Sequence, residues 1–200
     1  MRWQTLLFIL LVGFGAYQYS QTRPVTVTQT GAIVVEEPYQ IPVQSPPRLT
    51  LENYQIEPLA RFSIEARVLS TEKYRLGRES EISPVDFALG WGAMSDSAVL
   101  DRIDISQRGR FYFWHVDEFP IPREEIESHS ANMHMIPANA SVAHRLKEIR
   151  PGQIVRLQGY LVAISADDGW KWRSSLSRTD TGNGACELVW VESVEIGTIS

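Results

Sequence analysis

The stretch IRPGQIVRLQGYLV, residues 149–162, decides the fold of this 200-residue chain. Its Pro-Gly pair at 151–152 ends a helix that Asn139 can cap, because proline and glycine both interrupt helical backbone. Apolar and polar residues then alternate along Ile154 to Ile164, which predicts a long strand with one buried face. Gly159 lies within this strand, where a residue without a side chain allows a sharp bend.

The residues that follow predict the rest of an antiparallel sheet. Asp167-Asp168-Gly169 is a hairpin signal, so Trp170 to Leu176 should return antiparallel to the long strand. A polar, glycine-containing loop comes next, at Ser177 to Gly184. Cys186 to Ile196 then predicts a final strand, and its consecutive apolar residues indicate burial on both faces.

Patterns before this region predict further elements. Phe62 to Val68 alternates between apolar and polar residues, which is typical of a half-buried strand. Ser83-Pro84 followed by Asp86 predicts a helix start, and Ser95 or Asp96 can cap a second helix. The aromatic run Arg110 to Val116 predicts another strand. The predicted fold class is therefore α+β, with an antiparallel, barrel-like sheet and a few short helices.

The N-terminal residues predict a transmembrane anchor. Leu6 to Val12 is an unbroken apolar run, and Trp3 to Tyr19 gives about 17 residues, the lower limit for a hydrocarbon core roughly 30 Å thick. The exit at Tyr17 to Gln21 lacks the small residues of a cleavage site, which favours an uncleaved signal anchor. Arg2 with the amino terminus, against Arg23, orients the N-terminus toward the cytoplasm by the positive-inside rule.

Residues 23–48 contain five prolines and predict a stalk, since proline favours an extended backbone. The alternative is that residues 32–35 add an edge strand to the domain. The predicted organisation is a signal anchor at 1–22, a Pro-rich stalk at 23–48, and an extracytoplasmic α+β domain at 49–200.

Two resemblances bear on this organisation. The proline-glycine entry, alternating strand and mid-strand glycine of residues 149–162 resemble OB-type and similar small barrels. Such barrels often bind oligomers on one face, although a shared fold does not assign a ligand. The whole chain resembles uncharacterised bacterial membrane-anchored envelope proteins, which implies a single-pass inner-membrane protein with its bulk in the periplasm. The resemblance supplies no activity.

Composition narrows the classes of partner. A net charge of −5 argues against a nucleic-acid partner, because phosphate binding needs a cationic surface. Cys186 is the only cysteine, so an internal disulfide is excluded. His129 and His134 are five residues apart and match no zinc-ligand spacing, so neither a metal site nor a cofactor is predicted.

The predicted binding surface surrounds a tryptophan pair. Trp170 and Trp172 share one face of a strand, and paired aromatic rings can stack on sugars or hold a partner protein. The alternative is that both tryptophans belong to the core. The full predicted set comprises Trp170, Trp172, Arg173, Arg178, Asp180 and Asn183, and its ligand is a protein partner or a cell-wall oligomer.

The favoured function is non-enzymatic, and a rival hypothesis uses Cys186 with His129 or His134. An envelope cysteine hydrolase or transpeptidase needs a thiolate, a nearby imidazole and an oxyanion hole. The backbone of Gly182 to Ala185 could offer N–H groups for that purpose. A buried cysteine would instead behave as a small apolar residue.

Overall fold

The computed structural model describes residues 3–27, 29, 31–51, 53–177 and 185–197. Its fold is mixed α+β, with one large sheet and few helices. The helices are α1 (Trp3–Thr22), α2 (Arg78–Ile82), α3 (Ser97–Leu100), α4 (Arg123–Ser128) and α5 (Ala140–Glu148). The strands are β1 (Tyr39–Pro42), β2 (Leu49–Leu51), β3 (Tyr54–Lys73), β4 (Val85–Gly90), β5 (Asp104–Arg108), β6 (Phe111–His115), β7 (Ser130–Pro137), β8 (Ile154–Ala166), β9 (Lys171–Arg173) and β10 (Glu187–Gly197).

Five strands of the large sheet follow one another in a cycle of pairings. Strand β3 pairs with β4, β4 with β7, β7 with β10, β10 with β8, and β8 again with β3. Only the β7–β10 pair in this cycle is parallel. Because β1, β2 and β9 extend the sheet beyond these five strands, the sheet as a whole is not a clear barrel.

The predicted long strand is confirmed as β8, and its glycine lies at a close approach of two strands. Gly159 pairs with Phe62 on one side and with Val191 on the other. A Cβ atom at this position would clash with the carbonyl oxygen of Trp190. The main core packs nearby and includes Phe62, Phe87, Leu157, Leu161 and Val189.

The helix predicted to start at Ser83-Pro84 is wrong, because these residues lead into strand β4. All six residues of β4 are buried, which requires a strand covered on both faces. The Ser83 hydroxyl donates to the Val85 carbonyl instead of capping a helix. Asp86 lies inside the sheet rather than in a first helical turn, so tertiary burial has overridden a local capping pattern.

Two other local predictions are confirmed by their hydrogen bonds. The Asn139 side chain accepts a bond from the Val142 N–H and caps α5. Asp96 accepts a bond from the Ala98 N–H and caps the short helix α3. The predicted final strand is also confirmed as β10, and its first five residues are all buried.

The N-terminal helix α1 forms over the predicted apolar segment. Large apolar side chains from Leu6 to Val12, and also Phe14, are exposed along it. None of the helices in the part of the chain that the structure describes is both long and apolar enough to cross a membrane.

Parts of the Pro-rich segment 23–48 pack against the domain. The Val25 N–H donates to the Pro151 carbonyl, and the buried Val34 belongs to the main core. Strand β1, at residues 39–42, pairs with β3, whereas residues 32–35 form no strand. At these points the segment is part of the packed structure.

Candidate functional site

A two-stranded hairpin next to the large sheet organises the candidate site. Among the described residues, strands β5 and β6 pair only with each other, and Gly109 and Arg110 join them. Both turn residues have positive φ angles, 60° and 71°, as a tight two-residue hairpin turn requires. Arg110 is the one non-glycine residue with positive φ among the described residues, so the turn holds its arginine at a conformational cost.

The Arg110 side chain links the hairpin turn to the large sheet. Its Nη1 donates to Oδ1 of Asp86 at 2.7 Å, and this aspartate is fully buried on β4. The guanidinium carbon lies 3.7 Å from the centre of the Tyr74 ring, a cation–π contact. The Arg110 backbone N–H also donates to the Tyr74 hydroxyl. These contacts fix the hairpin by polar interactions that are shielded from water.

The other oxygen of the Asp86 carboxylate faces His134. The distance from Oδ2 of Asp86 to Nδ1 of His134 is 2.9 Å, and the histidine on β7 is only 2% exposed. The Trp172 ring packs on the imidazole, with ring centres 4.9 Å apart. One buried carboxylate therefore lies between a guanidinium and an imidazole. His134, which the rival hypothesis pairs with Cys186, is thus in contact with an aspartate.

A pocket of about 390 Å³ opens between the hairpin and the sheet. One wall is the aromatic strand β6, and the opposite side is formed by the start of β7 and by helix α4. Residues on either side of the 178–184 segment complete it. The described lining is Phe111, Tyr112, Phe113, Trp114, Arg123, Glu127, Ser130, Ala131, Asn132, Ser177, Ala185, Cys186 and Glu187. This volume is within the range of small-molecule and side-chain sites.

Internal hydrogen bonds hold the polar residues of the pocket floor. The Tyr112 hydroxyl donates to Oγ of Ser130, which itself donates to the Ile126 carbonyl. The Asn132 amide donates to the Arg110 carbonyl at 3.0 Å and accepts from Gln107 at 2.6 Å. Burial raises the pKa of Tyr112 to about 12, so its hydroxyl stays protonated. The floor is therefore preorganised before any ligand enters.

Cys186 lies in this pocket. Its Sγ is 3.8 Å from the Arg110 carbonyl oxygen and 3.8 Å from the Asn132 amide nitrogen. In the parallel pair of β7 and β10, His134 lies opposite Leu188, two residues beyond Cys186. The structure thus places the cysteine just before β10, which pairs with the strand of His134, and its sulfur lies equally close to the Arg110 carbonyl oxygen and the Asn132 amide nitrogen.

The other predicted histidine, His129, lies at the end of α4 and is not among the described residues of the pocket lining. Its Nδ1 is 3.0 Å from the Glu125 carbonyl oxygen, and its Nε2 is 3.4 Å from a carboxylate oxygen of Glu37. The ring therefore joins the N-terminal segment to the helix.

The predicted tryptophan pair is half-buried: Trp172 packs on His134, and Trp170 packs against Tyr54 and Arg78. Trp170 and Trp172 share one face, as expected, and their ring centres are 6.1 Å apart in an edge-on arrangement. Both pack against a small apolar cluster of the sheet, while Arg173 on the opposite face is exposed. The remaining predicted residues, Arg178, Asp180 and Asn183, lie outside the described residues.

Sequence reasoning missed the residues that connect the hairpin to the sheet. Asp86, Arg110 and Asn132 come from three separate segments, and no local pattern pairs them. The available signal was the aromatic run of β6. Four consecutive rings on a strand place two aromatic side chains on each face, which is more than one buried face needs. This density of aromatic residues was a signal for the wall of a binding site, and the sequence analysis used it only to predict a strand.

No cluster of three or more metal-binding side chains converges within the described ranges. Comparison with known proteins gives no match to a family model, to a curated protein or to a solved structure. The site is therefore interpreted from its own geometry.

Proposed function

We propose that this chain is a membrane-tethered binding protein of the bacterial cell envelope, whose domain binds a protein partner or a cell-wall oligomer. The observation that carries the proposal is the pocket between β6 and β7, which has aromatic walls and a preorganised polar floor. Aromatic residues and a few fixed polar groups are the usual composition of a binding site. No reaction is assigned to the site.

The cycle of five strand pairings supports an OB-type barrel within the larger sheet. OB-type barrels bind oligomers on the face of their second and third strands and on the loops that flank it. Here the second and third strands of the cycle are β4 and β7. The described residues of the corresponding connections are 74–84, between β3 and β4, and 167–177 with 185–186, between β8 and β10. Tyr74, Trp172 and the pocket all belong to this side of the domain.

The exposed apolar residues of α1 support the tether. Leu6 to Val12 would be poorly solvated in water, and a lipid surface removes that cost. Confining the domain to a surface raises its effective concentration for a partner there. We expect the full-length protein to sediment with the inner membrane, and a variant that lacks residues 1–22 to be released. Equal distribution of both forms would refute the tether.

Photocrosslinking in intact cells tests the binding site. A photoreactive amino acid at Phe113, on the exposed rim of the pocket, should give an adduct of defined mass. The same amino acid at His144, which is exposed on helix α5 and belongs neither to these loops nor to the described pocket lining, is the control and should give no glycan or protein adduct. Digestion of the cell wall then separates a glycan adduct from a protein adduct. Equal yields at both positions, or none at either, would contradict the proposed site.

A second candidate function is thiol catalysis, since Cys186 lines the same pocket. An envelope cysteine hydrolase or transpeptidase would require a reactive thiolate assisted by His134 or His129. The rate of alkylation of Cys186 by iodoacetamide at neutral pH measures this. A fast rate that falls in His134→Ala or His129→Ala, but not in the exposed control His144→Ala, would favour the enzyme. A slow rate in the folded protein removes it.

A further inference from the structure

The N-terminal segment is attached to the domain directly after helix α1. The helix ends at Thr22, and the Val25 N–H donates to the Pro151 carbonyl at 2.8 Å. A Cβ atom at Gly152 would clash with the Val25 carbonyl oxygen, so the segment and the turn before β8 are in close contact. Only two residues separate Val25 from the helix. The turn is therefore held next to the end of α1.

The short connection limits the distance between the domain and the anchor. The three residue steps from Thr22 to Val25 span at most about 11 Å, even when fully extended. A second contact holds the segment further along, because the hydroxyl of the buried Ser97 donates to the Val27 carbonyl at 2.9 Å. With α1 in or on lipid, the turn at residues 150–153 therefore lies at the membrane surface.

The surface around this turn is basic. Residues 145–153, together with the arginine that follows α1, contain four cationic side chains and one carboxylate: Arg23, Arg145, Lys147 and Arg150, and Glu148. Arg145 and Lys147 are exposed in the last turn of α5. This excess of positive charge contrasts with the net charge of −5 of the whole chain. Anionic lipid headgroups attract such a cluster of cations.

The opposite end of β8 lacks this excess of positive charge. The strand has 13 residues and begins directly after the turn, so its far end is up to about 40 Å away. Residues 167–173, which follow the strand, contain two aspartates, one lysine and one arginine. Their charges balance, so of the two ends of β8 the one near α1 has the net attraction for anionic lipid.

We infer that the surface formed by residues 145–153 and Arg23 docks on anionic phospholipid headgroups of the membrane that holds α1. The turn at 150–153 then faces the lipid, and residues 167–173 lie on the side away from it. This inference rests on the proposed function, because it needs α1 to be the tether. None of the residues 145–153 belongs to the described pocket lining, so the lipid and the ligand of the pocket use different residues.

Photocrosslinking to lipid tests the inference on the full-length protein. A photoreactive amino acid is placed at Gln153 and, as the matched control, at Asp167, because the two positions flank the same strand. Each protein is reconstituted in vesicles that contain phosphatidylglycerol and in vesicles of phosphatidylcholine alone. At Gln153 we expect a phospholipid adduct that is at least about fivefold more abundant with phosphatidylglycerol, and at Asp167 no adduct. Equal yields at the two positions, or with the two lipids, would overturn the inference.

Paired charge variants locate the cations that contact the lipid. Arg145→Gln combined with Lys147→Gln should lower the Gln153 adduct in phosphatidylglycerol vesicles to near its yield in phosphatidylcholine. The matched control combines Lys171→Gln with Arg173→Gln, which removes the same two kinds of cation from the far end of the domain, and should leave the yield unchanged. Equal losses in the two double variants would contradict docking through residues 145–153.

Flotation of the vesicles separates the inference from the proposed function. Full-length protein that floats with the vesicles but gives no lipid adduct at Gln153 would refute the docking surface and leave the tether standing. Full-length protein that floats with neither kind of vesicle would refute both.

Discussion

The cycle of five strands and the β5–β6 hairpin are held in place by different means. Each strand of the cycle has paired neighbours on both edges, and apolar side chains fill the space between them. The hairpin pairs with no other described strand and is linked to the sheet by Arg110, Tyr74 and Asp86. Packing stability in the cycle is spread over many residues, whereas the hairpin combines these few polar contacts with the packing of Ile105 and Trp114 on a small apolar cluster. The candidate pocket lies where the two regions meet.

Removing the buried cation should have the largest effect on this arrangement. Arg110→Met leaves the Asp86 carboxylate buried without its guanidinium, and we expect a loss of about 3–5 kcal/mol in the free energy of unfolding. Urea denaturation measures it. The matched control is Arg61→Met, since Arg61 forms an ion pair of the same 2.7 Å length with Glu192 on the surface. Arg61→Met should lower the free energy of unfolding by less than about 1 kcal/mol. Equal losses in the two variants would contradict a larger contribution from the buried pair of Arg110 and Asp86.

A side chain at Gly159 should disturb the cycle of strands rather than the hairpin. Gly159→Val places a Cβ against the Trp190 carbonyl and should cost about 3 kcal/mol, since the backbone of β10 must move. Gly197→Ala is the control, because a Cβ there makes only ordinary contacts with Ile154. Thermal denaturation compares the two. Unchanged melting of Gly159→Val would argue against close packing of β8 and β10.

Loss of the N-terminal cap of α5 should lower the free energy of unfolding by a smaller amount. Asn139→Ala removes the acceptor for the Val142 N–H at the start of α5, which connects β7 to β8. We expect a loss of about 1 kcal/mol in the free energy of unfolding. Asn53→Ala, at an exposed turn residue, should stay within about 0.5 kcal/mol. A loss that is equal in both variants would exclude a capping role.

We expect the smallest effect on stability from the deprotonation of Tyr112 on β6 at alkaline pH. Burial raises the pKa of Tyr112 from 10.0 to about 12, so the folded protein holds this proton more tightly than the unfolded chain does. The resulting stability is present below pH 10 and is lost as the pH rises from 10 to about 12. Tyr112→Phe should therefore flatten this decline, measured by urea denaturation across the window. The exposed control Tyr39→Phe should leave the slope unchanged, and an equally steep decline in Tyr112→Phe would contradict the assignment.

Much of the fold could be predicted where local patterns and final burial agree. The alternation in β8, the cap at Asn139 and the apolar run in β10 each reflect a single element. The prediction of a helix at the position of β4 was wrong. Ser83-Pro84 favours a helix locally, but β3 and β7 enclose the residues that follow. Local propensity is weak beside such burial.

The site was less predictable because its contacts join distant segments. Arg110 pairs with an aspartate 24 residues earlier, and Cys186 approaches a strand more than 50 residues before it. Such pairs exist only after the sheet has formed. The tryptophans, by contrast, were found as a pair because their spacing on one strand is a local property.

The position of β10 has a consequence for how the protein is made. This strand, the last one described, lies between β7 and β8, so the sheet cannot be completed until residues 187–197 have left the ribosome. Pairings between residues so far apart also form slowly. Helix α1 precedes the whole sheet in the chain, so it is synthesised while the strands are still unfolded. A truncation that removes β10 should therefore leave β7 and β8 without their shared neighbour and make the product sensitive to proteases.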